Sequence, residues 1–200
     1  MSKPLVIFDF DGTIADTFPQ FFLTINHELE KLGRTRITNP APYRAMNTRE
    51  VIAKLQVPWY ALPFIIRRAR VVLRAALPSA RVHTGMAQAL RALYKTHTIG
   101  VVTSNDAVTV RSYLEKHAIP FDHFIGNVGL FGKARALKRM AACAEHVVGY
   151  VGDETRDIEA AHKAGMRAIA VSWGYNTPAI LKKFEPDAFV TNAKQLQKLK

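Results

Sequence analysis

The sequence is poor in cysteine and in acidic residues. Its 200 residues include one cysteine, Cys143, and 16 Asp and Glu against 28 Lys and Arg. A single cysteine excludes an intramolecular disulfide and is compatible with a reducing compartment. The first apolar run is interrupted at Asp9 and shows no cleavage-site pattern. It is too short to cross a membrane, so we expect a cytoplasmic protein without a membrane partner.

Two common kinds of site are also missing from the sequence. The seven histidines show no spacing typical of metal ligands, and we interpret them as ordinary surface or core residues. Glycines occur at 126, 129 and 132, before Lys133. A P-loop needs four residues between its glycines and a Ser or Thr after the lysine, whereas Ala134 follows here. The pattern therefore excludes a P-loop.

The positive charge is large, with a formal net value of +12. Such an excess is compatible with nucleic acid, a membrane surface or a small anionic substrate as partner. Its densest cluster, IIRRARVVLR (65–74), alternates arginines with aliphatic residues at helical spacing. This pattern favours an amphipathic helix with a solvated basic face, with a face that attracts phosphorylated substrates as the alternative. We expect no nucleic-acid partner, because basic clusters interleaved with aromatic residues are absent.

Short apolar runs alternate with helical stretches through most of the chain. Helical patterns at 108–117, 133–146 and 157–166 lie between the runs. This alternation predicts an α/β fold, a doubly wound parallel sheet covered on both faces. The predicted strands are PLVIFDF (4–10), TIGVVTS (98–104), FDHFIG (121–126), VVGYVGD (147–153) and RAIAVS (167–172), with AFVTN (188–192) as an edge strand before a terminal helix.

Residues 15–82 follow a different pattern. They have helical periodicity at 18–33, 48–56 and 63–77, no strand pattern, and eleven Lys and Arg against four Asp and Glu. We expect a small helical insertion after the first strand. The predicted domains are thus a core of residues 1–14 and 83–200 and an inserted helical domain of residues 15–82.

Polar residues follow the predicted strands, at the edge where open parallel sheets bind ligands. Each group also has a local explanation, as a polar turn, a helix cap, a first-turn acid or, for Lys133, a solvated side chain. Together they bring several acids, a hydroxyl and a lysine to one edge, which are the groups needed for phosphoryl transfer. Two acids so close together would repel each other unless a cation lay between them. These residues are Asp9 and Asp11, Thr103 to Asp106, Lys133, and Asp153, Glu154 and Asp157.

These segments closely resemble the four motifs of the haloacid dehalogenase (HAD) superfamily. The resemblance rests on FDFDGT, the run into Thr103-Ser104-Asn105, Lys133, and GDETRDIEAAHKAGM. HTGMAQALRAL (83–93) and WGYNTPAIL are similar to the phosphoglycolate phosphatase-like branch, which has a helical cap. The resemblance implies a HAD-like Rossmannoid core. Residues 15–82 resemble the cap in position, length class and helical character alone.

The resemblance also implies roles for the acids. Asp9 would be the nucleophile that forms an aspartyl-phosphate, and Asp11 the general acid and then the base. Mg²⁺ would be held by the Asp9 side chain, the Asp11 backbone carbonyl and Asp153. Asp157 would be an outer-shell partner, with direct ligation as the alternative. Glu154 receives no definite role.

Three further residues would hold the phosphoryl group. Thr103 and the Ser104 backbone N–H would donate to its oxygens, and Lys133 would neutralise its charge. The family's dehalogenases lack the second acid of the first motif, so the presence of Asp11 favours phosphoryl transfer.

The expected function is a Mg²⁺-dependent phosphatase acting on a small anionic phosphorylated metabolite such as phosphoglycolate. A phosphomutase of the β-phosphoglucomutase kind shares the core residues and is the alternative. A basic interaction module on an inactive core is a third hypothesis, which the intact Asp9, Lys133 and Asp153 disfavour.

Overall fold

The structure, a computed structural model, describes residues 2–129 and 132–199, together with every side chain in them except those of Trp59 and Leu62. Leu130 and Phe131, in the loop before Lys133, lie outside this range, as do Met1 and Lys200 at the ends of the predicted core. The strands of the described residues are β1 (Leu5–Phe8), β2 (Ala15–Asp16), β3 (Arg81–Val82), β4 (Thr98–Val102), β5 (His123–Ile125), β6 (Val147–Gly152), β7 (Ala168–Val171) and β8 (Ala188–Val190).

Helices connect and cover these strands. The α-helices are α1 (Phe18–Lys31), α2 (Ala41–Arg44), α3 (Thr48–Lys54), α4 (Leu62–Ala76), α5 (Met86–Leu93), α6 (Ala107–Lys116), α7 (Lys133–Ala141), α8 (Thr155–Ala164) and α9 (Pro178–Lys183). Short 3₁₀ helices span Trp59–Ala61, Leu77–Ser79 and Ala193–Lys198. In the described chain, none of the helices is both long and apolar enough to cross a membrane.

Six strands form one parallel sheet in the order β5-β4-β1-β6-β7-β8, which confirms the predicted fold class. The central strand β1 is apolar on both faces because helices cover both. Val6 and Phe8 pack with α5, α6 and the C-terminal 3₁₀ helix. Leu5 and Ile7 pack with α7, α8 and α9 on the opposite face.

The insertion begins and ends in strands that the sequence analysis missed. The two-residue strands β2 and β3 pair antiparallel, with Ala15 opposite Val82 and Asp16 opposite Arg81. Two residues are too few to produce an alternating pattern in the sequence. The prediction that residues 15–82 contain no strand was therefore wrong at both ends, although the helical pattern between them is present.

Three other predicted elements differ in detail. The helix predicted over 133–146 ends at Ala141, because the chain must turn to enter β6 at Val147. The terminal helix is a 3₁₀ segment that begins after the capping residue Asn192. The segment between the first two helical patterns of the insertion, which includes Pro40 and Pro42 and was expected to be a loop, contains the short helix α2.

Candidate active site

Adjacent strands of the sheet end in the predicted site residues. Asp9 directly follows β1, Thr103 follows β4 and Asp153 follows β6, and these three strands are neighbours at the centre of the sheet. The Asp9 N–H donates to the carbonyl of Val151 at 2.8 Å, which extends the β1–β6 ladder to the site. The ladder therefore fixes Asp9 at the carboxyl edge of the sheet.

Lys133, at the start of α7, lies among the acids. Its Nζ donates to Asp9 Oδ2 at 2.6 Å and to Asp157 Oδ1 at 2.5 Å. The lysine is 4% exposed, so both contacts are shielded from water. Burial lowers the pKa of Lys133, but Asp157 and Asp9 outweigh it and the net pKa lies above the usual value. The ammonium group therefore stays charged.

Carboxylate oxygens of Asp9, Glu154 and Asp157 lie within 4.8 Å of one another. Asp157 Oδ2 accepts the backbone N–H groups of Asp153 at 3.2 Å and Glu154 at 3.0 Å. Glu154 Oε1 accepts from Arg156 Nη2 at 2.5 Å. Asp157 and Glu154, the two acids with the weakest assignments from sequence, thus belong to the same cluster as the predicted nucleophile.

The Asp153 side chain contacts two neighbouring loops. Its Oδ1 accepts from the Thr13 hydroxyl at 2.7 Å and its Oδ2 from the Tyr175 N–H at 2.6 Å. It is fully buried and is not a member of the three-acid cluster. Asp153 thus joins the loops after β1 and β7, and its role as a metal ligand stays a prediction.

Asp11 faces the loop after β4. Its carboxylate accepts from Asn105 Nδ2 at 3.2 Å and from the Thr103 hydroxyl at 3.4 Å. Burial raises the pKa of Asp11, with the Asn105 hydrogen bond opposing the shift. Asp106, the residue after Asn105, instead caps α6, because its carboxylate accepts the Thr109 N–H at 2.9 Å. Residues 103–106 thus contain both site residues and a helix cap.

The Ser104 hydroxyl oxygen is buried and has no hydrogen-bond partner among the described residues. A buried hydroxyl without a partner is costly, and a bound oxyanion beside Asp11 and Asn105 would satisfy it. The sequence analysis assigned the backbone of Ser104 to phosphate binding, and its side chain is a second candidate donor.

The electrostatics of the cluster favour a cation. Burial raises the pKa of Asp9 to about 7, with Lys133 opposing it. Burial also acts to raise the pKa of Asp157, but Lys133 and Arg156 overcome it and the net pKa is lowered. The lysine thus favours the anion of Asp157, and the Asp9 anion remains incompletely compensated.

The residues fit Mg²⁺. Their donors are carboxylate oxygens, which this ion prefers, and their separation is comparable to the span of about 4 Å across an octahedral magnesium shell. Three acids face the two cations Lys133 and Arg156, so a divalent ion would offset the remaining negative charge.

Arg156 is the residue that the sequence analysis overlooked. It lies within the GDETRD segment, and its side chain lines two cavities on either side of it. The first, of about 300 Å³, extends from Asp11 and Ser104 between α1, α3 and α4. The second, of about 320 Å³, lies beside Lys133 and is lined by Arg49 and Lys163.

Hydrogen bonds join the predicted cap to the predicted core beside the site. Arg44 Nη2 donates to the Gly174 carbonyl at 2.6 Å and its Nε to the Tyr175 carbonyl at 3.0 Å. Asn176 Nδ2 donates to the carbonyls of Arg44 at 3.1 Å and Met46 at 3.0 Å. The WGYN segment (173–176) therefore contacts both the predicted cap and, through the Tyr175 N–H, the Asp153 carboxylate. Of the arginines in residues 15–82, Arg44 and Arg70 line the first cavity.

Comparison with known proteins identifies relatives along nearly the whole chain. The family described as haloacid dehalogenase-like hydrolase matches residues 6–171. A phosphoglycolate phosphatase of Synechococcus elongatus is 29% identical over 91% of this chain and 90% of its own. The probable phosphatase IndB of Dickeya dadantii is 32% identical over 94% of this chain and 89% of its own.

Solved structures agree on the fold. A predicted phosphatase from Clostridium acetobutylicum has a TM-score of 0.81 at 19% identity, covering 99% of this chain and 98% of its own. A haloacid dehalogenase-like hydrolase from Bacteroides fragilis has a TM-score of 0.78 at 24% identity, covering 98% of this chain and all of its own, 100%. At these identities the likeness concerns the architecture alone.

Proposed function

Because the chain belongs to the haloacid dehalogenase-like hydrolase family, as a phosphatase of the phosphoglycolate phosphatase-like branch, we propose that it hydrolyses a small phosphorylated metabolite through a phosphoryl group carried on Asp9. The observation that carries the proposal is the buried contact of Lys133 with both Asp9 and Asp157, beside Glu154. A carboxylate and an ammonium at 2.6 Å give a nucleophile held next to a positive charge.

In the first step an Asp9 carboxylate oxygen attacks phosphorus, and the bond from phosphorus to the leaving oxygen breaks. Asp11 gives its proton to that oxygen, so the leaving group departs as an alcohol. The raised pKa of Asp11 supports this role, because it increases the protonated fraction near neutral pH. Lys133 compensates the charge gathered on the phosphoryl oxygens.

In the second step water attacks phosphorus and the bond to Asp9 breaks, which releases inorganic phosphate. The Asp11 carboxylate accepts the proton of that water and is ready for the next cycle. Thr103, the Ser104 N–H and the unpartnered Ser104 hydroxyl would donate to the phosphoryl oxygens. Arg49 and Lys163, in the second cavity, give that side of the site a positive potential that attracts phosphate.

Mg²⁺ would be held by Asp9, Glu154 and Asp157, with the Asp11 carbonyl as a further ligand. When bound, the ion neutralises negative charge at the reacting phosphate. This set adds Glu154 and Asp157 to the predicted ligand Asp9. Asp153 remains a proposed ligand as well, because each of its oxygens accepts one hydrogen bond, from Thr13 or Tyr175, and keeps a free lone pair.

We also propose the predicted division into a core of residues 1–14 and 83–200 and a cap of residues 15–82. The pairing of β2 with β3 supports it, because the chain leaves and re-enters the core at one place. The two sequence relatives are named a phosphoglycolate phosphatase and a probable phosphatase, which favours hydrolysis over the phosphomutase alternative. A cytoplasmic location stays a prediction.

The test is a phosphate-release assay on a panel of phosphorylated metabolites that includes phosphoglycolate. We expect release with Mg²⁺, and its loss with EDTA or in Asp9→Asn. Asp16→Asn, an acid of β2 outside the cluster, is the matched control and should remain active. Release that persists both in EDTA and in Asp9→Asn would refute the mechanism.

The role of Asp11 has a separate test. p-Nitrophenyl phosphate has a leaving group that needs no proton, so Asp11→Asn should still form the phospho-enzyme from it but hydrolyse it slowly. Intact-mass measurement after acid quenching should detect a phosphoryl adduct in Asp11→Asn and none in Asp9→Asn. An adduct of equal amount in both variants would contradict the assignment of the nucleophile.

A further inference from the structure

The first cavity is continuous with the site and is largely apolar. At one end lie Asp11, Ser104, Asn105 and Glu154. Apart from Arg156, Tyr175 and Asn176, the other lining residues belong to the cap. Three cap helices contribute apolar side chains, among them Phe21, Phe22, Ile52, Ile65, Ile66 and Ala69. A group bonded to a phosphate at the acidic end would therefore lie against the cap helices.

The cap helices enclose this cavity and have few fully buried apolar side chains between them. Of the side chains described within residues 18–76, the buried apolar ones are Leu29, Ile37 and Ala69. The apolar faces of α1, α3 and α4 are half-buried and turn toward the cavity. Apolar surface kept accessible in this way is typical of a ligand pocket.

The charged side chains on the cavity wall already make hydrogen bonds or ion pairs within the protein. Glu28, which is 4% exposed, pairs with Lys31 at 3.3 Å and with Arg68 at 3.6 Å. The arginines Arg44, Arg70 and Arg156 contact the carbonyls of Gly174 and Tyr175, the carbonyl of Val128, and the Glu154 carboxylate, respectively.

The size of the cavity bears on the same question. At about 300 Å³ it lies at the lower end of the range of roughly 300–1,000 Å³ typical of pockets for drug-sized ligands. A two-carbon leaving group would leave most of the apolar wall in contact with water. A larger apolar group would displace that water, which is favourable in proportion to the area covered.

We infer that the substrate is a phosphate monoester whose leaving group is uncharged and apolar, an aliphatic chain or an aromatic ring, rather than a small carboxylate such as glycolate. The inference rests on the proposed phosphatase function and specifies its substrate class. Ala69, in the middle of α4 and 7% exposed, lies on the cavity wall and would limit the depth of the group.

The test uses n-alkyl phosphates from methyl to octyl, which share one reaction and differ in apolar length. Each buried methylene contributes about 0.8 kcal/mol, a factor of about four, so kcat/KM should rise up to about fourfold per carbon until the cavity is filled. Hexyl phosphate should exceed methyl phosphate and phosphoglycolate by at least about tenfold. A profile that is flat, or highest for phosphoglycolate, would overturn the inference.

Ala69→Leu supplies the structural half of the test. Leucine keeps the helix propensity of alanine but occupies part of the cavity. It should lower kcat/KM for hexyl and octyl phosphate by about tenfold or more. Its kcat/KM for methyl phosphate should stay within about twofold of the wild-type value. Ala75→Leu, an exposed position on the same helix, is the matched control and should follow the wild type on every ester. Equal profiles for the two variants would mean that the cavity does not receive the leaving group.

The inference and the proposed function fail in different ways. If no ester is hydrolysed with Mg²⁺, the proposed function is wrong and the inference falls with it. If methyl phosphate or phosphoglycolate is hydrolysed and longer chains bring no gain, the function stands and the inference is wrong. A melting temperature for each variant verifies that Ala69→Leu is folded at the assay temperature.

Discussion

The proton on Asp9 offers a test that needs no substrate. Burial raises the pKa of Asp9 to about 7, with Lys133 opposing, against 3.8 for an unperturbed aspartate. The folded state therefore holds this proton more tightly than the unfolded chain does. The stability that Asp9 contributes is fully present below about pH 3.8 and is lost as the pH rises to about 7. Asp9→Asn has a similar shape and does not titrate, so it serves as the reference.

The magnitude follows from the pKa difference. Each unit corresponds to about 1.4 kcal/mol. Integrated over the titration, the free energy of unfolding of the wild type should fall by about 2 kcal/mol relative to Asp9→Asn between about pH 5 and pH 7. Above about pH 8 the difference should change little, because Asp9 is then ionised in both states.

Urea unfolding in EDTA, followed by circular dichroism at a series of pH values, measures this difference. Asp106→Asn is a control of opposite sign, because the Thr109 hydroxyl at 2.7 Å and N–H at 2.9 Å chiefly lower the pKa of Asp106. The stability that Asp106 contributes through its charge is present above its unfolded pKa and is lost at acid pH, so this variant should differ from the wild type by a constant amount between pH 5 and pH 8. A wild-type curve parallel to that of Asp9→Asn over the same range would refute the assignment of a buried, proton-retaining Asp9.

Mg²⁺ should reverse the effect. An ion that binds the folded state and the Asp9 anion stabilises the protein by mass action. At about pH 8 we expect magnesium to raise the wild-type free energy of unfolding by more than that of Asp9→Asn. An equal rise in both would mean that Asp9 is not a ligand.

Two further predictions concern residues that shape the site without reacting. Asp106→Ala should cost about 1 kcal/mol in urea unfolding because α6 loses its N-terminal cap, whereas Asp106→Asn should keep most of it; no loss in the alanine variant would contradict this role. Gly12 has φ +76° and a Cβ there would overlap the Asp153 carboxylate, so Gly12→Ala should cost clearly more than Gly33→Ala. Gly33 has a similar φ of +68° with nothing within 4 Å of its Cβ, and its variant should lose only the conformational term of ~1–2 kcal/mol. Equal losses of unfolding free energy in the two glycine variants would mean that the Asp153 loop moves aside without cost.

The sheet could be predicted because its strands are buried on both faces. Runs such as the one ending at Asp9 are continuous in apolar residues and end in polar ones, so both the strand and its functional end are visible in the sequence. The pattern cannot show which way a side chain turns after the strand. Asp153 turns toward Thr13 and the Tyr175 N–H, partners that lie far from it in sequence.

The cap could be predicted only as a set of helices. Periodicity gave the approximate extents of α1, α3 and α4, but it does not specify how closely their apolar faces approach one another. The cavity between them depends on that spacing, and so does the partner of each cap arginine. Arg156 was overlooked because an arginine one residue before an acid resembles a solvated surface charge.

The paired strands β2 and β3 have a consequence for folding. The central strand β1 joins β4 and β6, so its hydrogen bonds need partner strands that begin only at Thr98 and Val147. The intervening insertion lengthens the loop that must be closed, which costs entropy. Once Ala15 pairs with Val82, residues 17–80 form a separate closed loop. The effective length of chain between β1 and β4 is then the same as if this loop were absent. A large change in cap length should therefore slow folding of the sheet very little.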